Sequence, residues 1–128
     1  MNAEMRARHM EMIRDPVAAA MYDDLCAQCD VRAGGMDAAQ QSIISDIALL
    51  EQTKRALIAD VNQRGAVEDF RNGRQKLKRE NKSVREARML MEQQRKHLSE
   101  LRLTPGSQRK SAAVVADEEP DDFDTFDE

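Results

Sequence analysis

The chain has 128 residues, of which 34% are charged and only 3% are aromatic, and its formal net charge is −4. This length gives one small domain with tails, and the composition leaves no room for a large single core. Ala, Leu, Met, Arg, Glu and Gln are abundant and favour helices, so an all-α fold is predicted. Small cores of this kind are commonly completed by oligomerisation.

Charge is distributed unevenly along the chain. Residues 1–53 carry a net charge of −5, residues 54–110 a net charge of +9, and residues 111–128 a net charge of −8. A basic middle attracts polyanions, whereas an acidic end attracts basic protein surfaces. The start of the chain lacks a signal-peptide pattern and no stretch has the roughly 18 apolar residues of a membrane span. No membrane contact is therefore expected, and the expected setting is a reducing cytoplasm.

Residues 1–35 are predicted to form an N-terminal helical segment. After a weak first helix, Asp15-Pro16 is a start signal for a second one, because Asp caps helices and Pro fits their first position. Gly34-Gly35 marks the domain boundary. The apolar face of the second helix is predicted to consist of Val17, Ala20, Met21, Leu25 and Cys29.

Residues 36–110 are predicted to form a long antiparallel helical hairpin, the second domain. Asp37 and Gln40 have the spacing of a capping box, and the helix that they open is expected to end at Gly65 after roughly 40 Å. Ser83 is predicted to cap the second long helix of the hairpin.

Each long helix carries an apolar stripe that two helices alone cannot bury. These stripes are therefore predicted to contact neighbouring copies in an oligomer. The predicted oligomerisation residues are Ile43, Ile47, Leu50, Leu57, Val61, Met91, Leu98 and Leu101.

The connection between the long helices changes character. Asn72-Gly73 is a strong hairpin signal, so a small β-hairpin is predicted there, with a continued helix as the alternative. Eight cations fall within residues 71–88, a density that suits phosphate backbones, although a solvated charged face is the simpler interpretation. With Phe70 the one aromatic residue nearby, non-specific or shape-based duplex binding fits better than base stacking. The predicted DNA-contact residues are Arg71, Arg74, Lys76, Lys78, Arg79, Lys82 and Arg85.

No constellation of residues indicates catalysis. Cys26 and Cys29 have the spacing of half a zinc site or a redox pair, but a second ligand pair and a βαβ context are lacking. We interpret them as structural cysteines. The paired acids have no implied pocket, and no phosphate-binding glycine loop is present. No enzyme activity, cofactor or metal is expected.

The segment that follows the second long helix carries a family resemblance. The run from Leu101 to Arg109, Leu-Arg-Leu-Thr-Pro-Gly-Ser-Gln-Arg, resembles the Leu-Gly-Leu-Thr-Pro-Ser-Ser-Arg signature of one family of small terminase subunits of tailed double-stranded DNA phages. The chain departs from the signature at Arg102, Gly106 and Gln108, which replace Gly, Ser and Arg.

The layout before the signature is also similar to that family over about residues 37–110. A long helix is followed by Gly65, a loop with Gly73, and Asn81 just before the final helix. Lys82 stands where the family usually has Pro.

The resemblance implies a non-enzymatic, ring-forming protein of the host cytoplasm. Such subunits bind phage DNA, engage the large terminase subunit, and regulate its ATPase and nuclease while DNA is packaged into the procapsid. The acidic tail of residues 111–128 is expected to be disordered alone. Its Phe123 and Phe126 are predicted to anchor it on a basic surface of the large subunit. Two alternatives stay open, namely a coiled-coil scaffold or adaptor, and a small transcriptional regulator that reads DNA with residues 1–33.

Overall fold

The computed structural model of the chain describes residues 1–32, 34–72 and 75–110, and for residues 68–72 and 75–77 it describes the backbone alone. The acidic tail, with Phe123 and Phe126, lies outside these ranges. The elements are α1 (Ala3–Met12), α2 (Pro16–Asp30), α3 (Ala38–Arg64), β1 (Val67–Asn72), β2 (Gln75–Glu80) and α4 (Lys82–Glu100). The predicted helical class is confirmed, with a long helical hairpin formed by α3 and α4. No helix in the described part of the chain is long and apolar enough to cross a membrane.

Three helix ends lie where the sequence predicts them. The Asp15 carboxylate accepts a hydrogen bond from the backbone N–H of Ala18 at the start of α2. Asp37 and Gln40 form a reciprocal capping box at the start of α3. Gly65 ends α3 with a φ of +89°, a backbone conformation that favours glycine.

The start of α4 differs from the prediction, which made Ser83 the cap. Asn81 is the N-cap, and its side-chain oxygen accepts the backbone N–H of Ser83 at 3.0 Å. The Ser83 hydroxyl instead donates to Asp60 at 2.6 Å. Asparagine and serine can both cap a helix. Because the Ser83 hydroxyl is bound to Asp60, the cap is Asn81. Lys82 is then the first helical residue, the position that proline favours, which accounts for the Pro of the similar family.

The hydrophobic core lies at one end of the helical hairpin, where α2 packs against the first half of α3 and the end of α4. Five of its buried side chains come from α2 and three from α3, and Ile13, before α2, and Leu101, at the end of α4, complete it. Ile47 and Leu101, predicted as contacts between copies, are 1% and 2% exposed. They therefore belong to the core of the single chain, because α2 covers the part of the stripe that the sequence assigned to a neighbour.

The buried face of α2 is rotated from the predicted one. Val17 is 46% exposed, whereas Tyr22 is fully buried. The Tyr22 hydroxyl accepts a hydrogen bond from the Gln41 amide at 2.9 Å and lies 2.7 Å from Nδ1 of His9. These two partners satisfy the buried hydroxyl and join α1, α2 and α3 at one point. Burial raises the pKa of Tyr22.

The helix α4 ends in a Schellman motif. Arg102 has a φ of +58°, its N–H donates to the carbonyl of Ser99 at 2.9 Å, and the N–H of Leu103 donates to the carbonyl of Leu98 at 2.9 Å. Both leucines pack against the core, which is the hydrophobic contact that usually accompanies this motif. The glycine of the family signature therefore corresponds to Arg102, the residue of this motif that has a left-handed backbone.

A further helical stretch, residues 105–110, begins directly after this motif. The backbone N–H of Thr104 donates to the Ser107 hydroxyl, and the N–H of Ser107 donates to the Thr104 hydroxyl, both at 3.1 Å. Pro105 occupies the first helical position. The Leu-x-Leu-Thr-Pro run is thus the end of one helix joined to the start of another.

Arg32 fixes this corner to the N-terminal segment. Its guanidinium donates to the carbonyl of Leu101 and, at 2.8 Å, to the carbonyl of Arg102. A cation at the C-terminal end of a helix satisfies free carbonyls and complements the helix dipole. The end of α2 and the end of α4 are therefore held together by polar as well as apolar contacts.

We expect Arg102→Gly to stabilise the protein by about 0.5–1 kcal/mol, because glycine adopts a positive φ without a Cβ clash. The measurement is the urea-dependent free energy of unfolding at a fixed protein concentration. Ser99→Gly is the matched control: Ser99 is exposed and helical, so this variant should lower the free energy of unfolding by about 0.5 kcal/mol. A similar loss in both variants would contradict the assigned backbone conformation.

Candidate nucleic-acid interface

The chain between α3 and α4 forms two antiparallel strands rather than a continued helix. The register runs from Val67 opposite Glu80 to Asn72 opposite Gln75. Residues 73–74, which include the predicted contact Arg74, lie outside the described residues. The basic segment thus forms a β-hairpin (Val67–Glu80), and a two-stranded ribbon is a shape that can enter the major groove of DNA.

The register places cationic residues opposite one another in the outer part of the β-hairpin. Arg71 pairs with Lys76, whereas Asp69 pairs with Lys78 closer to the helices. For Arg71 and Lys76 the backbone alone is described. At the base of the β-hairpin, the side chains of Lys78 and Arg79 are exposed. The predicted contacts on β2 therefore reach solvent where they are described.

The basic segment continues into the first turns of α4. Lys82 and Arg85 are exposed, and the first turn of α4 contains no acidic residue. Cations at the N-terminal end of a helix oppose its dipole, so this arrangement lowers the stability of α4. Such a cost is expected where the surface serves to bind an anion. We call Lys78, Arg79, Lys82 and Arg85 the basic surface.

A polar junction, centred on Asn81, fixes the β-hairpin to the helices. Asn81 is fully buried, and its amide nitrogen donates to the carbonyl of Gly65 at 3.1 Å and to Asp60 at 3.2 Å. Its amide oxygen accepts from Arg64 at 3.1 Å, in addition to capping α4. Its backbone N–H donates to the carbonyl of Ala66 at 2.9 Å. The end of α3, the base of the β-hairpin and the start of α4 thus meet at one side chain.

Asp60 supplies the negative charge of this junction. Arg64 donates to both of its oxygens at 2.6 and 2.7 Å, and the Ser83 hydroxyl and Asn81 amide donate as well. The Arg64 guanidinium, followed by these two donors, holds the pKa of Asp60 well below its usual range. Asp60 therefore stays ionised, and its charge is satisfied internally beside the basic surface.

A second polar group fixes α3 against α4. The Gln94 amide nitrogen donates to the carbonyl of Ile47 at 3.2 Å and to Glu51 at 3.0 Å. Lys54 donates to the Gln94 oxygen at 3.0 Å and pairs with Glu51 at 2.7 Å. Burial alone would raise the pKa of Glu51, but hydrogen bonds from Lys54 and Gln94 outweigh it and hold that pKa below its usual value. Lys54, which interrupts the apolar stripe, thus has a defined partner.

The other predicted oligomerisation residues remain at least partly accessible. Met91 is 40% exposed on α4. The half-buried residues of this set are Ile43, Leu50, Leu57, Val61 and Leu98. They are available to a neighbouring copy, in contrast to Ile47 and Leu101.

The two cysteines lie in the core. Cys26 and Cys29 are both buried and unlinked, and burial raises the pKa of the Cys26 thiol to about 11. A thiol with so high a pKa is protonated at neutral pH and is a poor nucleophile. Within the described ranges, no group of three or more His, Cys, Asp or Glu side chains is placed to hold a metal ion.

These features define a small helical-hairpin protein with a basic, rigidly anchored connection. A family model described as phage terminase, small subunit, matches residues 18–119. Because the match covers most of the chain, the protein belongs to the phage terminase small subunit family. No curated protein and no solved structure matches it. Membership gives the chain a role in phage genome packaging, in a family whose members are generally regulatory.

We expect Asn81→Ala to destabilise the protein by about 1–3 kcal/mol, because it removes the N-cap of α4 and the hydrogen bonds that this buried amide makes to Gly65 and Asp60. The measurement is the free energy of unfolding in urea. Asn62→Ala, at an exposed position near the end of α3, is the matched control and should change it by less than about 0.7 kcal/mol. Equal free energies of unfolding for the two variants would show that the junction contributes little to stability.

Proposed function

We propose that the chain binds double-stranded phage DNA and recruits the large terminase subunit. In this role it regulates the ATPase and nuclease of that subunit in the host cytoplasm, while the genome enters the procapsid. Family membership supports the packaging role. The observation that carries DNA binding is the basic surface, which joins the exposed end of β2 to the exposed start of α4.

Phosphate contact accounts for the chemistry of this surface better than base reading. Lys82 and Arg85 form no ion pair or hydrogen bond through their side chains with another described residue, so their charges are available to phosphates. Lysine and arginine release counterions from DNA, a contribution that does not depend on base sequence. Phe70 is the one aromatic residue of the β-hairpin, which gives little scope for base stacking.

The polar junction gives the interface a fixed direction. Asn81 and Asp60 hold the base of the β-hairpin to both long helices, so Lys78, Lys82 and Arg85 take the same position relative to these helices in each copy. If copies assemble through residues 36–110, several basic surfaces face one duplex and their contacts add. Residues 1–35 do not favour DNA contact, because they carry more acids than bases and α2 is packed against α3.

The tail of residues 111–128 fits a different partner. It carries a net charge of −8, so it repels DNA and attracts a basic protein surface. Phe123 and Phe126 provide the aromatic anchors that interface hot spots favour. We assign the tail to recruitment of the large terminase subunit.

Replacement of Arg74, Lys76 and Lys78 by Ala should weaken DNA binding and reduce the slope of log K against log salt by up to about 2.7, since each lost phosphate contact removes about 0.9. The measurement is fluorescence anisotropy with a duplex over a series of salt concentrations. Arg8→Ala with Arg14→Ala, which removes cations from the acidic segment, should leave the slope unchanged. An unchanged slope in the triple variant would refute the assignment.

Removal of residues 117–128 should abolish binding to the large terminase subunit, while the affinity for DNA stays the same or rises. The measurement is titration calorimetry with the purified large subunit. Phe123→Ala with Phe126→Ala, which keeps the charge, should weaken this binding about 30-fold or more if the rings are anchors. Full binding by the truncated chain would place the docking site elsewhere.

A further inference from the structure

The face of the helical hairpin between the exposed sides of α3 and α4 carries an open groove. Two adjoining hollows of about 320 and 270 Å³ share Thr53 and Gln93, so they form one continuous depression. Its apolar lining includes Leu50 and Leu57 from α3, and Met89, which is 61% exposed, from α4. An apolar groove of this kind on a small protein marks an interaction surface.

The charged residues of the groove are acidic. Glu86 lies in the hollow next to Leu57, and Asp46 lies in the hollow next to His97. No lysine or arginine lines either hollow. Since α3 and α4 are antiparallel, these two acids stand near opposite ends of the groove. A fitting occupant therefore has an apolar centre with a cation on each side.

The opposite flank of α4 has this composition. Arg88, Met91 and Arg95 follow one another at intervals of three and four residues, so they share one face of the helix. Met91 is 40% exposed, and the two arginines are exposed without an ion pair or hydrogen bond to another described residue. This flank is distinct from the groove side, where Met89 and Gln93 lie.

We propose that the groove receives the Arg88–Met91–Arg95 flank of a second copy of this chain. Met91 enters the apolar floor, while the two arginines approach Glu86 and Asp46 of the neighbour. Arginine and methionine are among the residues enriched in protein interfaces. Complementary charge fixes the direction in which the two copies meet.

The contact is heterologous, because two different flanks of the same helix meet. After a first contact the pair of copies keeps one free groove and one free flank, so further copies add until a ring closes. This inference rests on the proposed function only for what the ring does in the cell. The contact itself involves neither the basic surface nor the tail.

Two exposed methionines on α4, two residues apart, allow a direct test. We expect Met89→Asp, which damages the groove, and Met91→Asp, which damages the flank, each to weaken self-association about 30-fold or more, the scale of a lost hot spot. An equimolar mixture of the two variants should form a two-chain complex and no larger one, because it contains one intact groove and one intact flank. Masses are read by light scattering and native mass spectrometry against the 14.5 kDa chain.

Asn62→Asp is the control, since it adds the same charge at an exposed position of α3 that lines neither hollow, and it should assemble like the unaltered protein. Far-UV circular dichroism checks that each variant keeps its helices. A mixture that stays monomeric, a loss caused by one variant alone, or an unaltered chain that is monomeric would each overturn the proposal.

A charge-exchange pair tests the same contact independently of the methionines. Arg88→Glu with Arg95→Glu, and Asp46→Lys with Glu86→Lys, should each weaken assembly. Their mixture should restore assembly beyond two chains, with the two variants alternating, because the flank of each variant meets a groove of opposite charge in the other. These measurements need no DNA. A protein that assembles in this way without shifting DNA would refute the proposed DNA contact and leave the assembly inference intact.

Discussion

The position of the β-hairpin depends on one buried amide. Asn81 is fully buried and uses both ends of its side chain, with Asp60 and Gly65 as acceptors and Arg64 and the N–H of Ser83 as donors. A buried amide left unpaired costs more than its hydrogen bonds contribute, so the network is maintained as a unit or lost as a unit. This all-or-none character gives a short two-stranded element, marginal by itself, a fixed base.

The same junction explains how a strongly basic segment is tolerated in a small protein. Lys82 and Arg85 oppose the dipole of α4, and the register places Arg71 opposite Lys76. The ionised Asp60, which Arg64, Ser83 and Asn81 hold in place, adds one negative charge beside these cations. Lys82 and Arg85 form no ion pair with another described residue, so their charges face solvent.

The helical hairpin has two ends with different roles. At the core end, α2 covers Ile44 and Ile47, and Arg32 holds the Schellman turn after Leu101. The core includes no residue of α3 beyond Ala48, so the outer half of the hairpin keeps its apolar side chains at the surface. One chain therefore has enough core to position its helices, and it leaves two unlike flanks of α4 accessible.

Local patterns in the sequence determined the helices and most of their ends. Asp15, Asp37 and Gly65 act within a single turn, so their roles follow from neighbouring residues alone. The concentration of cations in residues 71–88 is likewise a property of the sequence. The Leu-x-Leu-Thr-Pro run was recognisable in the sequence as a signature. That it joins the end of one helix to the start of another became clear only from the left-handed backbone of Arg102.

Only the tertiary structure decided which polar residues are buried and which apolar residues are not. The burial of Tyr22, Gln41, Asn81 and Gln94 depends on partners 13 to 47 positions away in the chain, so no local pattern indicates it. Ser83 lost its predicted capping role to Asn81 because Asp60, from another helix, takes its hydroxyl. Ile47 and Leu101 became core residues because α2 folds back over them. Such outcomes are set by contacts distant in sequence, which periodicity and capping signals do not encode.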